Sequence, residues 1–517
     1  MRRSFITTFL LLTALARADF TLTILHTNDC HARVEPTTIR GKSYGGYPRM
    51  ASYVGERMRS DTNPILLSAG DVFQGTLYFN VYEGLADLAF MNLMGYTAMA
   101  LGNHEFDKGP KTLAQFVAAA KFPILCANMD FSKEPELAGK VKPSTVVQIG
   151  GERVGIVGAV TDDLLSISSP GPNVAMKPLV ASIQAEVDRL EAEGVTKVIL
   201  LTHCGYDVDK GTLAKEVRGI DVIVGGHSHS LLGKFADPNL SRSEGPYPTV
   251  VEGPSKAKVL VVQAWDWGKV VGRLQVVFDD KGVVKTWSDD QPKILDDSVP
   301  EDPVAAAMAA AFRKPIEAVA SEVVGLSEKG IDRLNNLGGE SPVGNVVADA
   351  QLAYTQKAGA EFAFMNGGGV RASIDAGLIT YAEAIAVQPF GNTLTLLELT
   401  GAEILQSLEW GVGKLPEASG ALVHVSKGTS YEIDLGKPAG SRIGKVVLAG
   451  QPLDPKRTYR VVLNTFMANG GDGHEVLKNA KGHRIDLGFV DIDALVDYFR
   501  AHRPLEARQE GRIVIRK

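Results

Sequence analysis

Five short polar clusters each fall where an apolar, strand-like run gives out. Asp29-Cys30-His31 follows residues 21–25, Gly70-Asp71 follows 65–68, and Gly102-Asn103-His104-Glu105 follows 98–101. Thr202-His203 follows 198–201, and Gly225-Gly226-His227-Ser228-His229 follows 222–224. The strand-like runs are rich in β-branched and aliphatic residues, and helical stretches at 49–58, 84–94, 113–120 and 179–193 separate them. That alternation predicts an α/β arrangement of layers. In such layers polar groups gather at the carboxyl ends of strands, where loops can carry them without interrupting the sheet.

The clusters are built from Asp, Asn and His, the side chains that hold divalent ions through mixed nitrogen and oxygen donors. Six of the ten histidines precede residue 230, and five of those six lie inside the clusters, which is hard to reconcile with scattered core or capping histidines. Two ions held side by side need a bridging carboxylate, and Asp71, after the turn-permitting Gly70, is placed to supply it. Asp29 and His31, two apart in an expected extended segment, should point the same way and grip one ion with His229. Asn103, His203 and His227 should surround the other. By the same alternation Cys30 and Cys204 should face away from the ions and pack beneath them. His104 follows a ligand directly, and Asp107 is near enough to accept its ring N–H and favour the imidazolium. This pair is the candidate catalytic dyad; the competing role for Asp107 is to cap a helix near Pro110.

The rest of the chain bounds the setting. At 517 residues it is too long for one core. Residues 1–18 read as a secretory leader, with Arg2 and Arg3, an apolar run at 5–15 too short to span a bilayer, and Ala16-Arg17-Ala18 before Asp19. The expected product is a soluble protein, periplasmic or secreted, without a membrane span. Three cysteines cannot staple a chain of this size. A net charge of -6 argues against a nucleic-acid polymer as partner. Pro300-Glu301-Asp302-Pro303 opens an Ala-rich helix over 304–322, read as a connector. The expected divisions are a first domain at 19–300, the connector at 301–325 and a second domain at 326–517.

In order and spacing the clusters resemble the calcineurin-like metallophosphatases. The strings Ile24-Leu25-His26-Thr27-Asn28-Asp29 and Gly102-Asn103-His104-Glu105-Phe106-Asp107 narrow the resemblance to the secreted 5'-nucleotidase and UDP-sugar hydrolase family. The second half is similar to that family at Asn366-Gly367-Gly368-Gly369-Val370-Arg371, Pro389-Phe390-Gly391-Asn392 and Phe466-Met467-Ala468-Asn469-Gly470-Gly471-Asp472-Gly473. The resemblance implies a four-layer α/β/β/α metallophosphatase domain, a connector helix and an α+β substrate-binding domain. It implies two divalent ions, with Zn, Mn, Co and Fe all compatible, and a small-molecule nucleotide substrate losing its 5'-phosphate. Phe390 and Phe466 would sandwich the base, Asp472 would accept ribose hydroxyls, Arg371 would fork onto phosphate or a carboxylate, and Asn366 and Asn392 would bind base or sugar. One departure is that Gly338 and Gly339, not an arginine, precede Glu340-Ser341-Pro342; the nearest upstream arginine is Arg333. Catalysis and recognition fall on opposite sides of the connector, so the halves are expected to rotate toward one another. The competing activities are UDP-sugar hydrolysis, 2',3'-cyclic-nucleotide hydrolysis and thiosulfate-ester cleavage. The non-enzymatic alternative is a metal-stabilised binding protein.

Overall fold

The computed structural model describes residues 19–516 other than 40, 169, 238, 241, 242 and 335. The leader expected at residues 1–18 lies outside the described residues. Two sheets face each other in the first half. The strand Phe20–Thr27 is central to one, parallel to Pro64–Ser68 and antiparallel to Val270–Phe278, with Ala98–Ala100 beyond. The other is parallel at its centre, with Val198–His203 between Glu152–Val160 and Val222–Val224.

Side-chain alternation explains why both faces of the first sheet are covered. Leu22, Ile24, Ile65, Leu67, Ala98 and Ala100 pack inward with the second sheet. Leu25, Leu66 and Met99, one residue out of phase, pack against the helices Tyr47–Ser60, Leu85–Met94 and Gly109–Ala119. On the far side Leu179–Ala192 covers the second sheet through Ile183, Val187 and Leu190. The result is the expected α/β/β/α stack, and each fully buried Val, Leu or Ile in it contributes about 1.5–3 kcal/mol.

Asp302 caps the helix Pro303–Ala320, accepting from the backbone N–H groups of Val304 and Ala305. This helix is not a free tether, because Ala305 and Ala309 are buried in the core beneath the first sheet. The second half is built on a mixed five-stranded sheet in the order Val423–Val425, Phe362–Asn366, Thr458–Asn464, Thr393–Thr400, Arg484–Val490. Ala363, Met365 and Val462 face the helices Pro342–Thr355 and Asp491–Ala501, while Phe362, Phe364, Val461 and Leu463 face Gly401–Val412.

Candidate active site

All five clusters do lie at strand ends on one edge of the paired sheets, and they converge. Asp29, His31 and His229 offer ligand atoms within 4.8 Å of one another, and so do Asp71, His203 and His227. The local reason for the convergence differs from the one expected. Asp29 and His31 are not extended; both adopt left-handed backbone, at φ 51° and 49°. Their N–H groups bond to Gly70 O at 3.0 Å and Asp71 O at 3.1 Å, so the neighbouring loop, not strand alternation, aims them. Asp71, His227 and His229 are left-handed too. Such backbone is uncommon outside glycine and is held where surrounding contacts over-determine it. Cys30 and Cys204 are buried in the two cores flanking the cluster, as expected.

The donor set fits divalent ions because its lone pairs confront one another. His203 Nδ1 lies 2.6 Å from Ala69 O and must carry the proton, since a carbonyl only accepts. Its Nε2 then faces Asp71 Oδ2 at 2.8 Å. His31 Nδ1 likewise donates to Phe73 O at 3.0 Å, leaving Nε2 3.2 Å from His229 Nε2. His229 Nε2 is 3.2 Å from Asp29 Oδ1. Asn103 is fully buried with both side-chain polar atoms unpartnered. Acceptors turned on acceptors, and a buried amide without a partner, are costly unless a cation lies among them. Without an ion, a proton on His203 Nε2 answers the same demand: burial depresses the ring, but Asp71 and Asp29 outweigh it and raise it to about 9.

His104 and Asp107 form the expected pair, with Nδ1 2.6 Å from Asp107 Oδ2. Burial lowers His104, yet Asp107 and Asp71 overcome it and raise the imidazole to about 10, keeping it cationic at neutral pH. Asp107 does not cap the following helix Gly109–Ala119, whose N-cap is Lys108; its side chain also accepts from Gln74 Nε2 at 2.9 Å and Ser168 Oγ at 2.7 Å. Glu105 has a role the sequence reading did not assign. Its carboxylate accepts backbone N–H groups from Gly102, Asp71, Val72 and Phe73, fastening two ligand loops together.

The residues expected to recognise substrate are spread over the second half. Phe390 and Phe466 are not core residues; they are 45% and 44% exposed. Asn366 spends its amide internally, donating to Asp472 Oδ2 at 2.7 Å and accepting from Asn464 at 2.9 Å. Trp410 Nε1 donates to Asp472 O at 2.9 Å, so Asp472 is fixed by its backbone and its side chain. Arg371 lies over the Phe390 ring at 5.8 Å, and Arg333 bonds to Arg371 O. Asn392 is turned inward, with Asp491 Oδ2 at 3.4 Å. What the second half presents to His104 is instead Gly488, where an added Cβ would fall 1.2 Å from Cε1.

Residues 22–231 match the calcineurin-like phosphoesterase family, and residues 319–479 match the 5'-nucleotidase C-terminal domain. Along 528 aligned residues the chain is 36% identical to a 5'-nucleotidase of Diplobatis ommata, covering 96% of this chain and 90% of that one. This chain belongs to the 5'-nucleotidase family. Human 5'-nucleotidase is 35% identical over 96% of this chain and 91% of its own. Among solved structures, a 5'-nucleotidase precursor from Thermus thermophilus is 46% identical, with a TM-score of 0.64 over 96% of this chain and 99% of that one. The NAD nucleotidase of Haemophilus influenzae is 26% identical, with a TM-score of 0.79 over the same shares. Family membership makes the chain a phosphoric monoester hydrolase dependent on divalent metal ions.

Proposed function

We propose that the chain removes the 5'-phosphate from nucleotides, yielding nucleoside and phosphate, at a centre that holds two divalent ions. The observation that carries the reading is the pair of confronting donor groups with the His104–Asp107 dyad beside Asp71, whose Oδ2 lies 3.7 Å from His104 Nε2. Asp29, His31 and His229 would hold one ion and Asn103, His203 and His227 the other, with Asp71 as the carboxylate shared between them. Bound there, the ions supply Lewis-acid charge to the phosphoryl oxygens and lower the pKa of water, and Zn, Mn, Co and Fe all suit the donors.

The chain's own residues do the rest. His104, kept cationic by Asp107, stabilises negative charge on the phosphoryl oxygens as the bond to the ribose oxygen breaks. Phe390 and Phe466 offer two open aromatic faces to the base, and Asp472, already oriented by Asn366 and Trp410, accepts from the ribose hydroxyls. Arg371 meets the phosphate, with Arg333 supporting its loop. The buried Asn392 acts on this site indirectly, through the loop that carries Phe390.

The halves must rotate for these groups to meet the metal centre, because in the present arrangement Gly488 lies on His104. The comparisons support such freedom: the relative with 46% identity superposes less well than the one with 26%, as expected when similar domains are set at different angles. The mature enzyme acts outside the cytoplasm, consistent with the leader-like sequence at residues 1–18 and with no described helix long and apolar enough to cross a membrane.

Phosphate release from AMP, ATP, UDP-glucose and 2',3'-cyclic nucleotides, with Mn, Zn or Co added, tests the assignment. AMP should be turned over fastest by kcat/KM. Preference for UDP-glucose or a cyclic nucleotide would reassign the substrate, and no turnover of any would refute hydrolysis.

A further inference from the structure

Behind His229 lies a set of buried charges that the reaction as described does not use. The strand Lys258–Val262 runs out into Gln263-Ala264-Trp265-Asp266-Trp267-Gly268-Lys269. Asp266 Oδ2 lies 3.3 Å from His229 Nδ1, and Asp266 Oδ1 lies 2.6 Å from Lys269 Nζ. The Lys269 ammonium is nearly sealed from solvent and sits 3.5 Å from the centre of the Trp265 ring and 4.4 Å from that of Trp267. Both tryptophans have left-handed backbone, at φ 59° and 56°. Trp267 N donates to Asp29 O at 2.6 Å, and Asn28 Nδ2 donates to Trp265 O at 2.5 Å.

As a source of stability this loop is a poor bargain. A buried ion pair returns little net energy after desolvation, and each residue held in a sparsely populated backbone region costs on the order of 1–3 kcal/mol. What the loop achieves is to set one carboxylate behind one histidine. His31 and His203 have only backbone carbonyls, of Phe73 and Ala69, behind their Nδ1 atoms. A carboxylate fixes the tautomer more firmly than a neutral carbonyl and makes the opposite ring nitrogen a stronger donor to a metal. The two donor groups also differ in charge, since Asp29 belongs to the first and the neutral Asn103 to the second.

Resting on the two-ion reading above, we infer that Asp266 is a positioning residue that makes the two metal positions unequal. The Asp29–His31–His229 position holds its ion more tightly than the Asn103–His203–His227 position, and Asp266 is a principal cause.

Chelator-stripped protein titrated with Zn²⁺, followed by calorimetry and by metal content per chain, tests this without reference to activity. The unaltered chain should bind two ions in two resolved steps. D266N should weaken the tighter step by about 10- to 100-fold and leave the weaker one unchanged, and D266E should recover part of the loss. N103A should do the reverse, weakening the second step and sparing the first. Thermal unfolding of the metal-free variants controls for folding, and the titration of the unaltered chain stands whatever the variants do. Equal affinities in the unaltered chain, or equal loss of both steps in D266N, would overturn the inference while leaving a two-ion centre. So would unchanged metal affinities in a D266N protein that is merely less stable. Fewer than two ions in the unaltered chain would instead overturn the two-ion reading itself.

Discussion

The proposed metal centre and the proposed nucleoside-binding surface are built to opposite specifications. Asp29, Asn103 and His203 are fully buried, and Asp71, His31 and His104 nearly so. The Nδ1 atoms of His31, His203 and His104 are tied to a carbonyl or a carboxylate. Phe390 and Phe466, by contrast, keep close to half their surface open. Phosphoryl chemistry depends on lone pairs aimed within a few tenths of an ångström, whereas an aromatic face accepts any flat base in a range of positions. On the proposed function, the first half would carry the reaction and the second half the choice of substrate.

Substitutions can break that division. The largest effect should come from Asp71→Ala, which removes the bridging carboxylate. Both ions should be lost, and turnover of AMP and of p-nitrophenyl phosphate should fall together, by at least about a thousandfold; metal content and phosphate release measure it. Next, His104→Ala should keep both ions and lower kcat by about 10²- to 10⁴-fold on both substrates. A loss on AMP alone would place His104 in recognition instead. Phe466→Ala should do what neither of these does. Loss of one stacking face, worth about 1–3 kcal/mol per base, should raise KM for AMP about 5- to 150-fold and leave p-nitrophenyl phosphate within about twofold. Equal losses would make Phe466 structural and erase the contrast between the halves.

The same contrast governs what could be read from the sequence. The strand-end clusters were legible because metal ligation demands particular side chains at turning points, and the strands at 20–27, 64–68, 98–100, 198–203 and 222–224 duly end there. The backbone of Asp29 and His31 was not legible. A two-residue spacing reads as a strand, and only the bonds to Gly70 O and Asp71 O impose the left-handed turn. Glu105 stood in plain view beside the dyad, but four backbone donors converging on one carboxylate is a tertiary fact. Asp266 follows a strand end as well; flanked by two tryptophans, it carried no ligand pattern. In the second half the Gly-rich loops were visible, whereas the pairing of Asn366 with Asp472 and the inward turn of Asn392 depend on strands far apart in the chain.

The smallest effect should come from the place where the halves touch. Gly488 is left-handed at φ 62°, and its Cα surface lies so close to His104 that a methyl group would overlap the ring. Arg33, just after the first cluster, is also bonded to the second half, donating to Gly391 O at 2.7 Å beside Phe390. Gly488→Ala therefore acts on two things. The left-handed backbone costs an alanine on the order of 1 kcal/mol, so Tm should drop by a few degrees whichever way the halves lie. The overlap with His104, however, penalises only the arrangement in which that ring is covered. If the covered arrangement competes with the catalytic one, destabilising it raises the fraction of competent molecules, and kcat/KM for AMP should rise a few-fold even as Tm falls. A fall in both would mean that Gly488 belongs to the catalytic arrangement, and that the two halves already share one site without rotating.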